Sequence, residues 1–103
     1  MEIISVNKDT FEEEVIKSKI PVVIDFNADW CGPCRMLKPL LDQVASENDK
    51  VKIVSINIDD NDDLADEYQV SSIPCLVLIK DGKEVKRNVG LISSDDIESF
   101  IGE

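Results

Sequence analysis

Two cysteines, Cys31 and Cys34, carry the most reactive chemistry in this sequence. They stand in the run Trp30-Cys31-Gly32-Pro33-Cys34, directly after an apolar stretch typical of a buried strand, and we predict that a helix begins here. Unpaired N–H groups and the positive end of the dipole at a helix start favour a thiolate at Cys31. Cys34 lies one turn later on the same face and can close a small disulfide ring. The spacing therefore predicts a pair that cycles between dithiol and disulfide.

Other uses of this cysteine pair are open on the residues alone. The two thiols could be ordinary buried cysteines or half of a metal site. A tetrahedral thiolate zinc site usually takes four ligands, whereas the sequence has three cysteines and no histidine, so a metal site within one chain is disfavoured. No stretch has the pattern of a nucleotide or flavin site, and we expect no cofactor.

Size and charge narrow the class of protein. A chain of 103 residues with 43% apolar content suits one domain, 1–103, around a single core. Charged residues interrupt the first twenty positions, which disfavours a signal peptide or membrane helix there. We therefore expect a cytoplasmic protein. Because thiols are kept reduced in that compartment, a reactive pair explains Cys31 and Cys34 better than a structural disulfide does. A formal charge of −11 disfavours binding to nucleic acid or to an anionic membrane, and we expect a soluble monomer.

The elements that must position the cysteines alternate between strand and helix. Asp81-Gly82 is a strong turn signal and predicts that the last two strands form an antiparallel hairpin. The long helix after the cysteines contains Pro39, which should bend it. The order βαβαβαββα predicts an α/β fold with a mixed central sheet and helices on both faces. The predicted strands are 3–6, 21–26, 51–58, 76–79 and 84–89.

Three further helix starts carry residues that commonly cap helices. Asp9 or Thr10 should begin a helix that runs to about Lys17, with a glutamate placed to complete a capping box. The other two helices should begin at Asn61 or Asp62, and at Ser93 or Ser94.

Beyond the dithiol, the chain resembles the thioredoxin family along nearly its whole length. The resemblance is carried by Asp25-Phe26, the Trp30 to Cys34 run, Asn57-Ile58-Asp59, Ile73-Pro74, Lys80-Asp81-Gly82 and Val89-Gly90. It implies the thioredoxin fold and a cytoplasmic thiol-disulfide oxidoreductase that reduces disulfides of client proteins. It also implies re-reduction by a thioredoxin reductase.

The catalytic residues predicted from the residues and the resemblance are Cys31, Cys34 and Asp25. Cys31 should attack a client disulfide as a thiolate, and Cys34 should then release the reduced client. Asp25 stands inside an apolar run, where an ionisable group is costly unless it is paired or used. The resemblance makes Asp25 the buried carboxylate that accepts the Cys34 proton; on the residues alone it could also be a strand-end aspartate that faces solvent.

The resemblance also assigns residues that tune and surround the dithiol. Gly32 and Pro33 between the cysteines accompany reducing behaviour in the family, and Pro74 should follow a cis peptide bond. Client binding is expected at Trp30, Ile73, Val89 and Gly90, with the Ile73 backbone pairing with an extended client peptide. On pattern alone, Trp30 could instead be a core residue and Gly90 a turn glycine.

Three residues depart from the family pattern. Asn27 stands where an aromatic residue is usual, and Ser55 stands where many members have a lysine near the buried aspartate. Both changes lie around Asp25, and the missing cation should change the local field of its carboxylate. Cys75 replaces the usual threonine after the proline; we expect an inert buried thiol close to the dithiol, with a regulatory disulfide as the alternative.

Two other functions compete with protein-disulfide reduction. The fold could serve as a binding module or structural subunit in which the dithiol is idle. The pair could also act as a thiol oxidase or isomerase, which a reduction potential near or above that of glutathione would favour.

Overall fold

Five strands form one mixed sheet in the computed structural model, which describes residues 1–102. Strand β2 is central: it pairs in parallel with β3 and antiparallel with β4. Strand β1 extends the parallel side, and β5 extends the antiparallel side. This order, β1-β3-β2-β4-β5, confirms the predicted mixed sheet. The strands are β1 Ile4–Ser5, β2 Val22–Asn27, β3 Lys52–Asn57, β4 Cys75–Lys80 and β5 Lys83–Val89.

Alternation along β2 divides the core into two layers. Val22, Ile24 and Phe26 point to one face, where a π-helical turn and helix α2 cover them. Val23 points to the other face, which helices α1 and α3 cover, and Asp25 lies on this second side. Helices on both faces are therefore confirmed. The helical segments are the π-helical turn Glu12–Ile16, α1 Gly32–Ser46, α2 Asp62–Glu67 and α3 Ser94–Ile101.

The first helical segment differs from the prediction. It is one π-helical turn whose N-cap position is Phe11, and no side chain within residues 1–102 caps it. Asn7 Oδ1 instead accepts the N–H groups of Asp9 and Thr10, at 2.8 and 3.1 Å. The predicted cap at Asp9 or Thr10, with its capping box, is therefore wrong, because this asparagine turn takes up the free N–H groups first.

The other two predicted starts are placed correctly. Ser93 Oγ accepts the Asp96 N–H at 3.1 Å and caps α3. Asn61 occupies the N-cap position of α2, but its side chain bonds elsewhere: Oδ1 accepts the Lys8 N–H and Nδ2 donates to the Asn57 carbonyl. It therefore ties together the loops that follow β1 and β3.

The hairpin and the long helix complete the frame around the cysteines. Asp81 and Gly82 have φ of 53° and 78°, as a two-residue turn between antiparallel strands requires, which confirms the hairpin. Helix α1 continues through Pro39 and buries Leu37 and Leu41 against the sheet. Among residues 1–102, no helix is both long enough and apolar enough to cross a membrane.

Candidate active site

The two cysteines lie at the start of α1, as the spacing predicts. Cys31 is the N-cap residue and Cys34 lies in the first turn, with 5.2 Å between their Cα atoms and a disulfide between their sulfurs. The Cys34 N–H donates to Cys31 Sγ at 3.2 Å. Because the free N–H groups at a helix start carry partial positive charge, the same geometry stabilises a Cys31 thiolate when the pair is reduced.

The residues between the sulfurs lie in the first turn of α1. Pro33 suits this position because its missing N–H would have no partner in the helix. A Cβ on Gly32 would lie 4.0 Å from the nearest atom, Arg35 Nη2, which is ordinary van der Waals distance. Neither space nor backbone conformation therefore demands glycine at this position in the free protein.

The Ile73-Pro74 peptide bond is cis and lies beside the disulfide. Cys31 Sγ is 3.9 Å from the Ile73 carbonyl oxygen, and Ile73 packs against the cluster formed by Ala28 and the two cysteines. The Pro74 carbonyl accepts the Gly90 N–H at 2.8 Å. The structure thus brings together three separate segments that were predicted to form one site: the start of α1, the Ile73-Pro74 bond and Gly90.

Two large apolar side chains are exposed near the start of α1 and at the end of β5. Trp30 is 67% exposed and Val89 is 55% exposed, so the alternative of Trp30 as a core residue is wrong. The indole Nε1 of Trp30 donates to Asp59 Oδ2 at 2.9 Å, which holds the ring although it is exposed. Gly90 has a φ of 104°, a conformation that favours glycine, and a Cβ there would meet no atom of residues 1–102 within 4 Å.

Asp25 is buried, with 6% of its surface exposed, so the alternative of a solvent-facing strand end is wrong. Burial raises the pKa of its carboxyl to about 6, because the charged form loses hydration. Asn27 Nδ2, 3.3 Å from Asp25 Oδ2, and the positive charge of Lys38 act in the opposite direction and favour the ionised form. A carboxyl with this pKa can exchange a proton near neutral pH.

An open cavity of about 760 Å³ connects this carboxyl with Cys34. Its wall is mixed, with carboxylates, amides, two serine hydroxyls and three cationic side chains. Asp25 and Cys34 both line it, so a proton can move between them within one space. The lining includes Asp25, Asn27, Cys34, Lys38 and Ser55.

Cys75 does not belong to the dithiol cluster. It is free, 1% exposed, and packs with Phe26 and Val77 in the layer under the π-helical turn and α2. Burial raises the pKa of its thiol. The dithiol packs instead with Ala28, Ile58 and Ile73, which supports the expectation of an inert thiol.

Two residues near the site were missed by sequence reasoning. Lys38 follows Cys34 by four positions, so helical spacing alone could have placed it on the same face of α1. Asp59 was noted only as part of a family motif, and no local pattern links it to Trp30, 29 positions earlier.

The family model for thioredoxin matches residues 2–103. The chain belongs to the thioredoxin family. It is 44% identical to the thioredoxin of Haemophilus influenzae over 103 residues, which cover 99% of this chain and 96% of that protein. It is 48% identical to thioredoxin 1 of Synechococcus elongatus over 84 residues, covering 81% of this chain and 78% of that one. It is 40% identical to the thioredoxin of Porphyra purpurea over 104 residues, covering 100% and 97%.

Membership of the thioredoxin family fits the geometry of the site. The cysteine pair lies at disulfide distance, and the five-stranded mixed sheet with helices on both faces is the thioredoxin fold. The protein is a thiol-disulfide oxidoreductase with protein-disulfide reductase activity.

Proposed function

We propose that Cys31 is the nucleophile and Cys34 the resolving thiol in the reduction of client protein disulfides. The Cys31 thiolate attacks one sulfur of a client disulfide, the client S–S bond breaks, and the departing client thiolate takes a proton from water. The Cys34 thiolate then attacks Cys31 Sγ and the second client thiolate leaves. Two electrons have passed to the client, and Cys31 and Cys34 are joined by a disulfide.

One observation carries this assignment of roles. Cys31 Sγ is the acceptor at the N-cap of α1, 3.2 Å from the Cys34 N–H. A negative sulfur is therefore favoured at Cys31, whereas Cys34 lies one turn further inside the helix and lines the cavity behind it.

Asp25 is proposed as the general base for the second step. Cys34 must lose its proton before it can attack, and the Asp25 carboxyl lines the same cavity with a pKa raised by burial to about 6. At neutral pH most of this carboxyl is ionised and can accept the proton.

Client peptides are proposed to bind across the exposed edge formed by Trp30, Ile73, Val89 and Gly90. Trp30 and Val89 offer exposed apolar surface, and the Ile73 backbone lies beside Cys31. An extended peptide that pairs with this backbone would place its disulfide near the Cys31 sulfur.

The proposal includes recharging by a thioredoxin reductase in the cytoplasm. A carrier that ends each cycle as a disulfide needs an external source of two electrons, and the cytoplasm keeps thiols reduced. Insulin reduction by this protein with a thioredoxin reductase and its electron donor tests the partner. Fractionation of the native cells with an antibody against the chain tests the location.

The roles of the cysteines are tested by reduction of insulin disulfides with dithiothreitol as the electron source. We expect rapid turnover by the native protein, only background turnover by Cys31→Ser, and a long-lived mixed disulfide with Cys34→Ser. Cys75→Ala is the matched cysteine control and should keep native turnover. Equal turnover by the native protein and Cys31→Ser would contradict the proposal.

A further inference from the structure

Three polar side chains, one buried and two half-buried, meet near the carboxyl ends of strands β2 and β3. Asp25 and Asn27 are two positions apart on β2 and therefore share a face of the sheet. Ser55 on β3 is the register partner of Asp25. The backbone pairing of the two strands thus places a hydroxyl and an amide next to the buried carboxyl.

The amide of Asn27 is the centre of this cluster. Its Nδ2 lies 2.9 Å from the Asp25 carbonyl oxygen, 3.3 Å from Asp25 Oδ2 and 2.8 Å from Ser55 Oγ. Both Asp25 atoms can only accept hydrogen bonds while the carboxyl is ionised, so the amide must present its nitrogen to them. Ser55 holds the same nitrogen from the neighbouring strand.

The two carboxyl oxygens of Asp25 therefore differ. Oδ2 accepts a hydrogen bond from the Asn27 amide, whereas Oδ1 is buried and has no hydrogen-bond partner among residues 1–102. Asp25 and Cys34 line the same cavity. A buried carboxyl oxygen without a donor is the more available site for an incoming proton.

We propose that Asn27, held by Ser55, is a positioning residue that fixes Asp25 through Oδ2 and leaves Oδ1 to take the Cys34 proton. This inference rests on the role of Asp25 proposed above. In the step, the S–H bond of Cys34 breaks, the proton forms an O–H bond at Oδ1, and the electron pair stays on sulfur. The resulting thiolate attacks Cys31 Sγ and expels the client thiolate.

Other charged and titratable groups face this carboxyl and belong in its pH dependence. Lys38 on α1 favours the ionised form, and Cys75 on β4 interacts electrostatically with Asp25. The cavity that Asp25 lines carries both signs of charge. Its other charged residues are Lys8, Asp9, Asp29, Arg35 and Asp60.

The test separates the Cys34 step from the first attack. Reduced protein mixed with excess 5,5′-dithiobis(2-nitrobenzoate) forms a mixed disulfide at Cys31, and attack by Cys34 then releases a second thionitrobenzoate in a phase independent of reagent concentration. The rate of this second phase is measured against pH by stopped flow. The Asp25 carboxyl is followed in parallel by carbon NMR.

Asn27→Leu removes the amide at similar size. We expect the proton affinity of Asp25 to rise roughly tenfold in this variant, because a hydrogen bond to the charged form is lost. The pH at which the rate of the Cys34 step inflects should rise correspondingly, by about one pH unit. Ser55→Val should move it in the same direction by less, whereas Ser55→Thr keeps the hydroxyl and should keep the native profile.

Several outcomes decide between the proposals. An unchanged NMR titration of Asp25 in Asn27→Leu overturns the positioning role and leaves the Asp25 role intact. A moved titration with an unmoved rate profile overturns the role of Asp25 as base, and the positioning role with it. A native rate profile in Asp25→Asn overturns the role of Asp25 as base. If Asn27→Leu does not fold, Ser55→Val against Ser55→Thr carries the test, and identical profiles in that pair overturn the inference.

Discussion

Replacing Asp25 by asparagine should stabilise the protein at neutral pH. The carboxyl is 6% exposed, and burial raises its pKa from 3.8 to about 6. This pKa difference means that ionisation of the buried carboxyl lowers the free energy of unfolding by about 3 kcal/mol. Asparagine has nearly the same shape and carries no charge, so Asp25→Asn should recover most of that amount.

The pH dependence has a definite sign. Because the pKa of Asp25 is higher in the folded than in the unfolded protein, the folded state binds an extra proton between these values, 3.8 and about 6. The destabilisation is absent below this window, grows across it and is complete above it. The advantage of Asp25→Asn should therefore be small near pH 4 and largest above about pH 7.

Urea unfolding of the oxidised proteins, at a series of pH values from about 4 to 8, measures this difference. Asp66→Asn removes an exposed charge in α2 and is the matched control; it should show no comparable pH-dependent gain. A difference between Asp25→Asn and the native protein that stays constant across the pH range would refute the assignment of the destabilisation to Asp25 ionisation.

Three further predictions follow from local geometry. Ser93→Ala should lower the free energy of unfolding by about 1 kcal/mol because α3 loses its cap, whereas Ser94→Ala, inside the helix, should have little effect in the same urea assay. Gly82→Ala should lower the free energy of unfolding by about 1 kcal/mol or more, because the φ of Gly82 is 78° and the new Cβ would lie 3.4 Å from a carbonyl oxygen. Gly32→Ala should change the free energy of unfolding by less than about 0.5 kcal/mol. Thermal melts of the two variants test this difference. Cys75 should resist alkylation in the native reduced protein, because its thiol is buried and its pKa is raised; peptide mapping that finds it labelled as fast as the active-site cysteine would contradict its burial.

The regular elements were predictable because their signals are local. The run from Val22 to Phe26 is apolar except for Asp25, which is typical of a strand buried on both faces, and Asp81-Gly82 is a strong hairpin signal in the sequence alone. The errors occurred at element ends. Competition between nearby polar groups decides those ends, as at Asn7, whose side chain takes the N–H groups that the predicted cap would have received.

The candidate site was predictable in part. The dithiol at a helix start was predicted from the spacing of the two cysteines. The resemblance to the thioredoxin family predicted that Asp25 and Ile73-Pro74 lie in the same site. The Trp30 contact with Asp59 did not follow, because the two residues are 29 positions apart and meet only when the loops after β2 and β3 fold together. Lys38 could have been found by helical spacing from Cys34.

The sequence by itself determined the chemistry of this protein. Two thiols one helical turn apart, and strands that alternate with helices, can each be recognised from residues that are close together in the chain. The tertiary structure decided how that chemistry is held. The register of β2 against β3 places Ser55 opposite Asp25, and strand alternation puts Asn27 on the same face while Cys75 packs in the opposite layer. These relations depend on pairing between strands far apart in the chain, and burial of the carboxyl follows from that packing alone.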